Sequence, residues 1–273
     1  MTHDQRGVLE HGLLIFAVTC GVAILGAAAS APTELVATSV SVPYALALVL
    51  VGTACLLLAL RFTKGGKFFE ALFSIAMLTG AWYLFDLVFP RPWGLLAAGA
   101  MILARVRFKN VWVFNLTMAI GIAGIAASAA SDLSANAVLT IFTFLAFYDI
   151  VAVYATGHMV RMFRGMASRG VLLAFVLPPF SAPTLAEQIA TSTKSSKTFY
   201  LGTGDVALPA MLAAAAVRGG IAHGLFAAVG SLVGYALMFD LFTKQKERRP
   251  MPALPPIALG TAVGYLLSLI LLP

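Results

Sequence analysis

The sequence predicts an all-α polytopic membrane protein with nine transmembrane helices, its N-terminus cytoplasmic and its C-terminus outside. Three observations carry that prediction. Of the 273 residues, 60% are hydrophobic and 11% charged, with a mean hydropathy of +0.94, whereas soluble domains are about 25% charged. The apolar residues gather into runs near 13–30, 43–62, 68–89, 92–106, 111–130, 136–158, 200–217, 220–242 and 254–272, most of them close to the ~20 residues that cross a bilayer. Lastly, 16 of the 18 Lys and Arg fall on one side of these runs, with only Arg91 and Arg218 opposite. Basic loops mark the cytoplasmic side, so the net charge of +7 reflects topology and excludes nucleic acid as its cause.

Run 1 follows Arg6 and ends in AAASA at 27–31, which also reads as a signal peptide with a small-residue cleavage site. Its apolar stretch of about 17 residues is long for a signal core; cleavage would leave eight spans. Cys20 in run 1 and Cys55 in run 2 read as small apolar packing residues rather than a disulfide. There is no Cys/His metal spacing, and neither a metal nor a cofactor is expected. Glu70 and Asp86 lie near the ends of run 3, and Asp240 near the end of run 8 with Lys244 and Lys246 close by; each reads as an interfacial anchor. Run 4 is short, and run 7 is rich in small residues.

The runs divide the chain into 1–135, with spans 1 to 5, and 136–273, with spans 6 to 9 and a cytoplasmic connection at 159–199. The connection starts with HMVRMFRGMASRG, whose cations among Met and Phe suit a helix lying at the inner membrane surface. VLLAFVLPPF at 171–180 is too short to span and is stopped by Pro178–Pro179. It reads as an interfacial or packed segment, or as a plug over a cleft. TSTKSSKTF at 191–199 is small, polar and flexible in character.

Two carboxylates stand inside runs that otherwise exclude charge. Asp149 lies in LTIFTFLAFYDIVAVYATG and Asp205 in YLGTGDVALPAMLAAAAV. A charge at membrane depth costs about 2.5–3.5 kcal/mol even on lenient insertion scales, so it marks a functional position. Asp149 stands nine residues before the inner end of span 6, and Asp205 six residues into span 7, depths of ~13 and ~9 Å from the same face at 1.5 Å per residue. Antiparallel neighbours would bring the two together. Close carboxylates share a proton. One then activates water while the other hydrogen-bonds a scissile carbonyl, which is aspartic-protease chemistry. Gly202 and Gly204 flank Thr203 before Asp205 and permit close backbone approach, so that an extended segment of substrate can lie beside them. Pro209, one turn on, interrupts a backbone bond. Pro252, Ala253, Leu254 and Pro255 open span 9 and predict an extended segment at membrane depth that lines a cavity.

Taken in order, Tyr148-Asp149, Gly202-Thr203-Gly204-Asp205 and Pro252-Ala253-Leu254-Pro255 resemble the YD, GxGD and PAL motifs of the presenilin and signal peptide peptidase family. The resemblance covers essentially the whole chain, and the length is that of short archaeal or bacterial members. It implies an intramembrane aspartyl endopeptidase of the GxGD type in the cell membrane, with Asp149 and Asp205 as the catalytic pair. Tyr148 neighbours the first aspartate, and Gly202, Thr203 and Gly204 shape the second. Pro252, Ala253, Leu254 and Pro255 support the site and contact substrate. The implied substrate is a transmembrane helix of a single-span protein within the lipid bilayer, and no accessory subunit is expected to be required. The charge pattern is presenilin-like in orientation. Thr203 stands where Leu is frequent, and the short 159–199 connection argues against maturation by internal cleavage.

Rival chemistries fit less well. Type IV prepilin peptidases carry a GxGD but usually place a Lys after the second Asp, where Val206-Ala207-Leu208 stands here, and they lack a PAL segment. HExxH is absent. His223 and Ser231 share a face of span 8 and read as packing rather than as a nucleophile and base. A cation or proton channel, or a transporter using Asp149 and Asp205, is the non-enzymatic alternative.

Overall fold

In hydrocarbon every backbone N–H and C=O must be paired within the protein, and helices are the simplest solution. The computed structural model describes residues 3–30, 43, 44, 47, 51, 52, 55, 66–108, 110–155, 174–177, 199–245 and 251–272. The predicted span 43–62 lies mostly outside them. So do the surface helix at 159–170, the Pro178–Pro179 stop and most of the polar 191–199 stretch.

Eight helices are described over their full length: α1 (His3–Ala29), α2 (Gly66–Val88), α3 (Trp93–Arg107), α4 (Val111–Asp132), α5 (Ala135–Ile150), α6 (Thr203–Ala216), α7 (Ile221–Thr243) and α8 (Leu254–Leu271). Their bounds follow the predicted runs within a few residues except at the two aspartates and at α1, which starts ten residues before the predicted run 13–30. Among the described helices all but α3 and α6 are long and apolar enough to cross a membrane, α5 when counted with its helical continuation to Ala155. The ends carry local signals. Asn110 caps α4 by accepting from the N–H of Trp112 at 2.8 Å, and Ser134 caps α5 by accepting from Ala137 at 3.2 Å. Gly220, with φ +129°, turns the chain from α6 into α7, a conformation open to glycine.

Helix α4 is central. Phe114, Met118, Ile122, Ala123, Ala126 and Ala127 are buried among α1, α2 and α6. Helices α7 and α8 pack against each other most extensively, through glycines. A Cβ on Gly230 would overlap the carbonyl of Gly260, and one on Gly264 the carbonyl of Phe226. Gly230 and Gly234 face Gly260 and Gly264, two small-xxx-small stripes that let the backbones approach. The α2–α4 crossing uses Gly80 against Gly121 and Gly124 in the same way. Large apolar side chains such as Val88 (74% exposed) and Ile270 (75%) cover the outside, as a lipid-facing surface requires.

Helix α6 is different. At 14 residues it is ~21 Å long, short of the ~30 Å hydrocarbon thickness. It is nearly all buried from Pro209 to Ala216, so protein rather than lipid surrounds it. Residues 200–202, predicted as the start of this span, instead belong to strand β2 (Phe199–Gly202), paired antiparallel with β1 (Ala174–Leu177). Ala174 opposes Gly202 and Leu177 opposes Phe199. Non-helical backbone is tolerated at this depth because it is buried in protein; every residue of β1 is buried. The apolar 171–180 segment is therefore packed over its described residues, 174–177, and they form a strand that the sequence reading did not anticipate. Two of the three acidic residues expected at the ends of spans have partners there: Asp86 accepts from Arg91 Nε at 2.9 Å and from Trp82 Nε1 at 3.2 Å, and Asp240 pairs with Lys244 at 2.6 Å.

Candidate active site

Asp149 is the penultimate residue of α5 and is 6% exposed. Helix α5 then gives way to a π-helical turn over Val151–Ala155, in place of the uninterrupted helix predicted to 158. Such turns occur frequently at functional sites. The Oδ2 atom of Asp149 accepts a hydrogen bond from the backbone N–H of Leu254, the first residue of α8, at 3.2 Å. The first N–H groups of a helix have no partner within it. Pro255 and Pro256 follow and carry none, so this donor is one of very few in the opening turn of α8. The partial positive charge of a helix N-terminus also suits a carboxylate.

Asp205 is the third residue of α6, after Thr203 and Gly204, with Gly202 at the N-cap. Its carboxylate accepts from the backbone N–H of Gly202, as the third residue does in a capping box. The same glycine leaves room for the carboxylate where it stands. A Cβ there would stand 2.9 Å from Oδ2 of Asp205. Around Gly204 a Cβ would meet nothing within 4 Å, so the second glycine opens onto free space. Pro209 has no N–H to return to the carbonyl of Asp205 four residues earlier. The carboxylates of Asp149 and Asp205 come from different helices and lie within electrostatic reach of each other.

The structure thus brings together Asp149, Asp205, Gly202 and Leu254 from the motifs read in the sequence. Thr203 begins α6 and is half-buried. Tyr148, 39% exposed, turns to a more open face of α5 than its neighbour Asp149. Pro252 is buried, and Ala253 and Pro255 are half-buried. The segment is not extended as predicted. Ala253 has helical φ −85° and ψ −30°, and Leu254 and Pro255 form the first turn of α8, where the fixed φ of proline is already helical. His223 Nδ1 pairs with Ser268 Oγ at 2.8 Å, while Ser231 donates to Ala228 O at 2.7 Å. His223 and Ser231 are therefore not partners.

One residue at the site was not read in the sequence. Asn115, 4% exposed in α4, donates through Nδ2 to Val176 O at 2.6 Å and accepts through Oδ1 from Val176 N at 3.1 Å. Its signal was present: a lone amide in the apolar run 111–130 has to find a partner.

The chain matches the family model described as signal-peptide peptidase, presenilin aspartyl protease over residues 12–272. It belongs to that family. Membership makes the chain a multi-pass integral membrane protein and an aspartic intramembrane endopeptidase. Among solved structures it is similar to a presenilin family intramembrane aspartate protease in two crystal forms. The C222 form superposes with a TM-score of 0.64 at 23% identity, covering 95% of this chain and 96% of that one. The P2 form gives 0.66 at 25% identity with the same coverage. No match to the chain is found among curated proteins.

Proposed function

We propose that the protein hydrolyses peptide bonds within the transmembrane segments of single-span membrane proteins, with Asp149 and Asp205 as a dyad that activates water. One observation carries the reading: two carboxylates from separate helices within electrostatic reach of each other, one of them held by the N–H of Leu254, in a chain with six described helices long and apolar enough to cross a membrane. One aspartate takes a proton from water as its oxygen attacks the scissile carbonyl carbon. The other, protonated, donates to the carbonyl oxygen. The tetrahedral diol then collapses, the C–N bond breaks, and the leaving nitrogen takes up a proton.

The backbone around the dyad supports a role for the remaining motif residues. Substrate enters between helices, unwinds, and lies extended along Gly202, Thr203 and Gly204, adding to the edge of β2. Pro252, Ala253, Leu254 and Pro255 hold the far wall, and Tyr148 stands at the rim. A stretch of stable helix at the cut site slows cleavage. The nine-span topology, N-terminus in and C-terminus out, follows from the basic loops and places the dyad toward the cytoplasmic end. Residues 136–273 carry the catalytic motifs and 1–135 the supporting helices, with no accessory subunit required.

The test is cleavage of a fluorescent single-span substrate by the purified, detergent-solubilised protein, beside Asp149→Ala and Asp205→Ala. Wild type cleaves and each variant, still folded, does not. Cleavage surviving in either variant removes the dyad. A folded wild type inert on several substrates and across pH returns the carboxylates to ion or proton passage.

A further inference from the structure

Strand β1 has two edges, and the structure assigns them different work. Val176 gives both its backbone groups to the side chain of Asn115. Its ladder partner Tyr200 is therefore opposite it in a non-hydrogen-bonded pair. Phe175–Leu201 and Leu177–Phe199 are the pairs that exchange bonds between the strands, and Tyr200 and Gly202 direct their backbone groups to the opposite edge. The Gly202 N–H does meet the Asp205 carboxylate on that side. Asn115 thus acts as a side-chain third strand. It fixes β1 to α4, β1 fixes β2, and β2 leads through Gly202 into Asp205.

We infer that Asn115 is the positioning residue that sets the register of the β1–β2 pair against the helices, and through it the peptide bond that the dyad cuts. The inference rests on the proposed proteolysis. The lateral position of β2 is also fixed from its far end, where the Phe199 ring packs edge-on to Phe242 (5.0 Å between centroids) and Phe239 (6.1 Å). Those apolar contacts are non-directional and tolerate sliding along the strand. The two hydrogen bonds of Asn115 do not, because a one-residue slip presents Phe175 or Leu177, whose groups belong to the ladder. Two buried bonds to the backbone N–H and C=O of one residue are a costly arrangement to break, since each orphaned group keeps its desolvation penalty.

Two variants break the clamp from opposite sides. Asn115→Leu keeps the volume and removes both bonds. Val176→Pro removes the N–H that faces Asn115 and leaves the β1–β2 ladder intact, since this N–H is not part of it. Each is purified as the full chain and assayed on a single-span substrate, with products identified by mass spectrometry and the folded fraction measured by thermal unfolding. Wild type gives one dominant cut. Either variant, per folded molecule, spreads cleavage over neighbouring bonds and lowers kcat about a hundredfold, as a misplacement near 1 Å does, with KM changed less than about twofold. A purely structural role would lower the folded fraction and leave the cut position and kcat of the remaining enzyme alone. That result in whichever variant folds overturns the proposal. An inert wild type would instead count against the proteolytic reading itself.

Discussion

The backbone N–H of Leu254 donates to Oδ2 of Asp149 across 3.2 Å, tying the first turn of α8 to a carboxylate 105 residues earlier. A backbone donor cannot be trimmed by changing a side chain, but proline removes it. Helix α8 already carries Pro255 and Pro256 in its opening turn, so a proline one position earlier is compatible with the backbone. Leu254→Pro is expected to leave Asp149 without this bond. A hydrogen bond to a charged group contributes about 1.5–3 kcal/mol, so kcat should fall about 10- to 150-fold. Leu254 is also 6% exposed, and its loss opens a cavity. Leu254→Ala controls for that, destabilising by about 2–5 kcal/mol while keeping the donor. Equal kcat values for the two folded variants would dismiss the bond as a catalytic element.

The glycines on either side of Thr203 are not equivalent. Gly202→Ala sets a Cβ 2.9 Å from Asp205 Oδ2, too close for the carboxylate to stay where it is. Activity should drop about a hundredfold, the cost of displacing a catalytic group by about 1 Å, with the loss in kcat. Gly204→Ala meets nothing within 4 Å, so the free enzyme accommodates it. If substrate backbone occupies that space, as proposed, the methyl raises KM and spares the stability of the free protein. Steady-state kinetics and thermal unfolding on both variants separate the cases. A Gly204→Ala enzyme with wild-type KM would place substrate elsewhere.

A dyad that shares one proton also predicts a bell-shaped dependence of kcat/KM on pH, whose two limbs belong to the pair and not to either residue. Asp149→Asn and Asp205→Asn should each remove the whole bell rather than one limb, because both roles are needed in one turnover. A single-limbed profile with residual activity in either variant would show a lone carboxylate at work.

Much of this was legible in the sequence, and the rest was hidden for identifiable reasons. Hydropathy located most of the described helices because crossing lipid demands a long apolar run, and the cost of a buried charge singled out Asp149 and Asp205. Gly202 was read as site-shaping from its place just before Asp205, and Leu254 from the proline-flanked segment that opens span 9 and its resemblance to the PAL motif. Strand β1 was not seen. Ala174–Leu177 is four apolar residues, a pattern shared by a buried strand, a helix fragment and a packed loop. Its partner is also apolar, and the two join only across 21 intervening residues. The helical geometry of Ala253 was missed because two prolines read equally as an extended segment and as a first helical turn. Asn115 was overlooked because one amide among apolar residues announces a need for a partner without naming it.

The α7–α8 crossing gives the last prediction, which links packing to the site. A Cβ on Gly260 would overlap the carbonyl of Gly230 and stand 2.7 Å from both N and Cα of Gly234. These are backbone atoms, so no side chain can swing aside, and the helices must part. Gly260→Ala is expected to destabilise by about 1–3 kcal/mol, the usual cost of overpacking, read as a lower thermal midpoint in detergent. Gly21→Ala in α1, where nothing lies within 4 Å, should leave the midpoint unchanged or slightly raised, since alanine is the better helix former. The same displacement pulls the N-terminus of α8 away from α5, because Leu254 stands less than two turns from Gly260. Gly260→Ala should therefore lose kcat together with stability, and combining it with Leu254→Pro should cost less than the product of the two separate losses, as both act on one contact. Full multiplicativity would show that the glycine stripe holds the bundle without positioning Asp149.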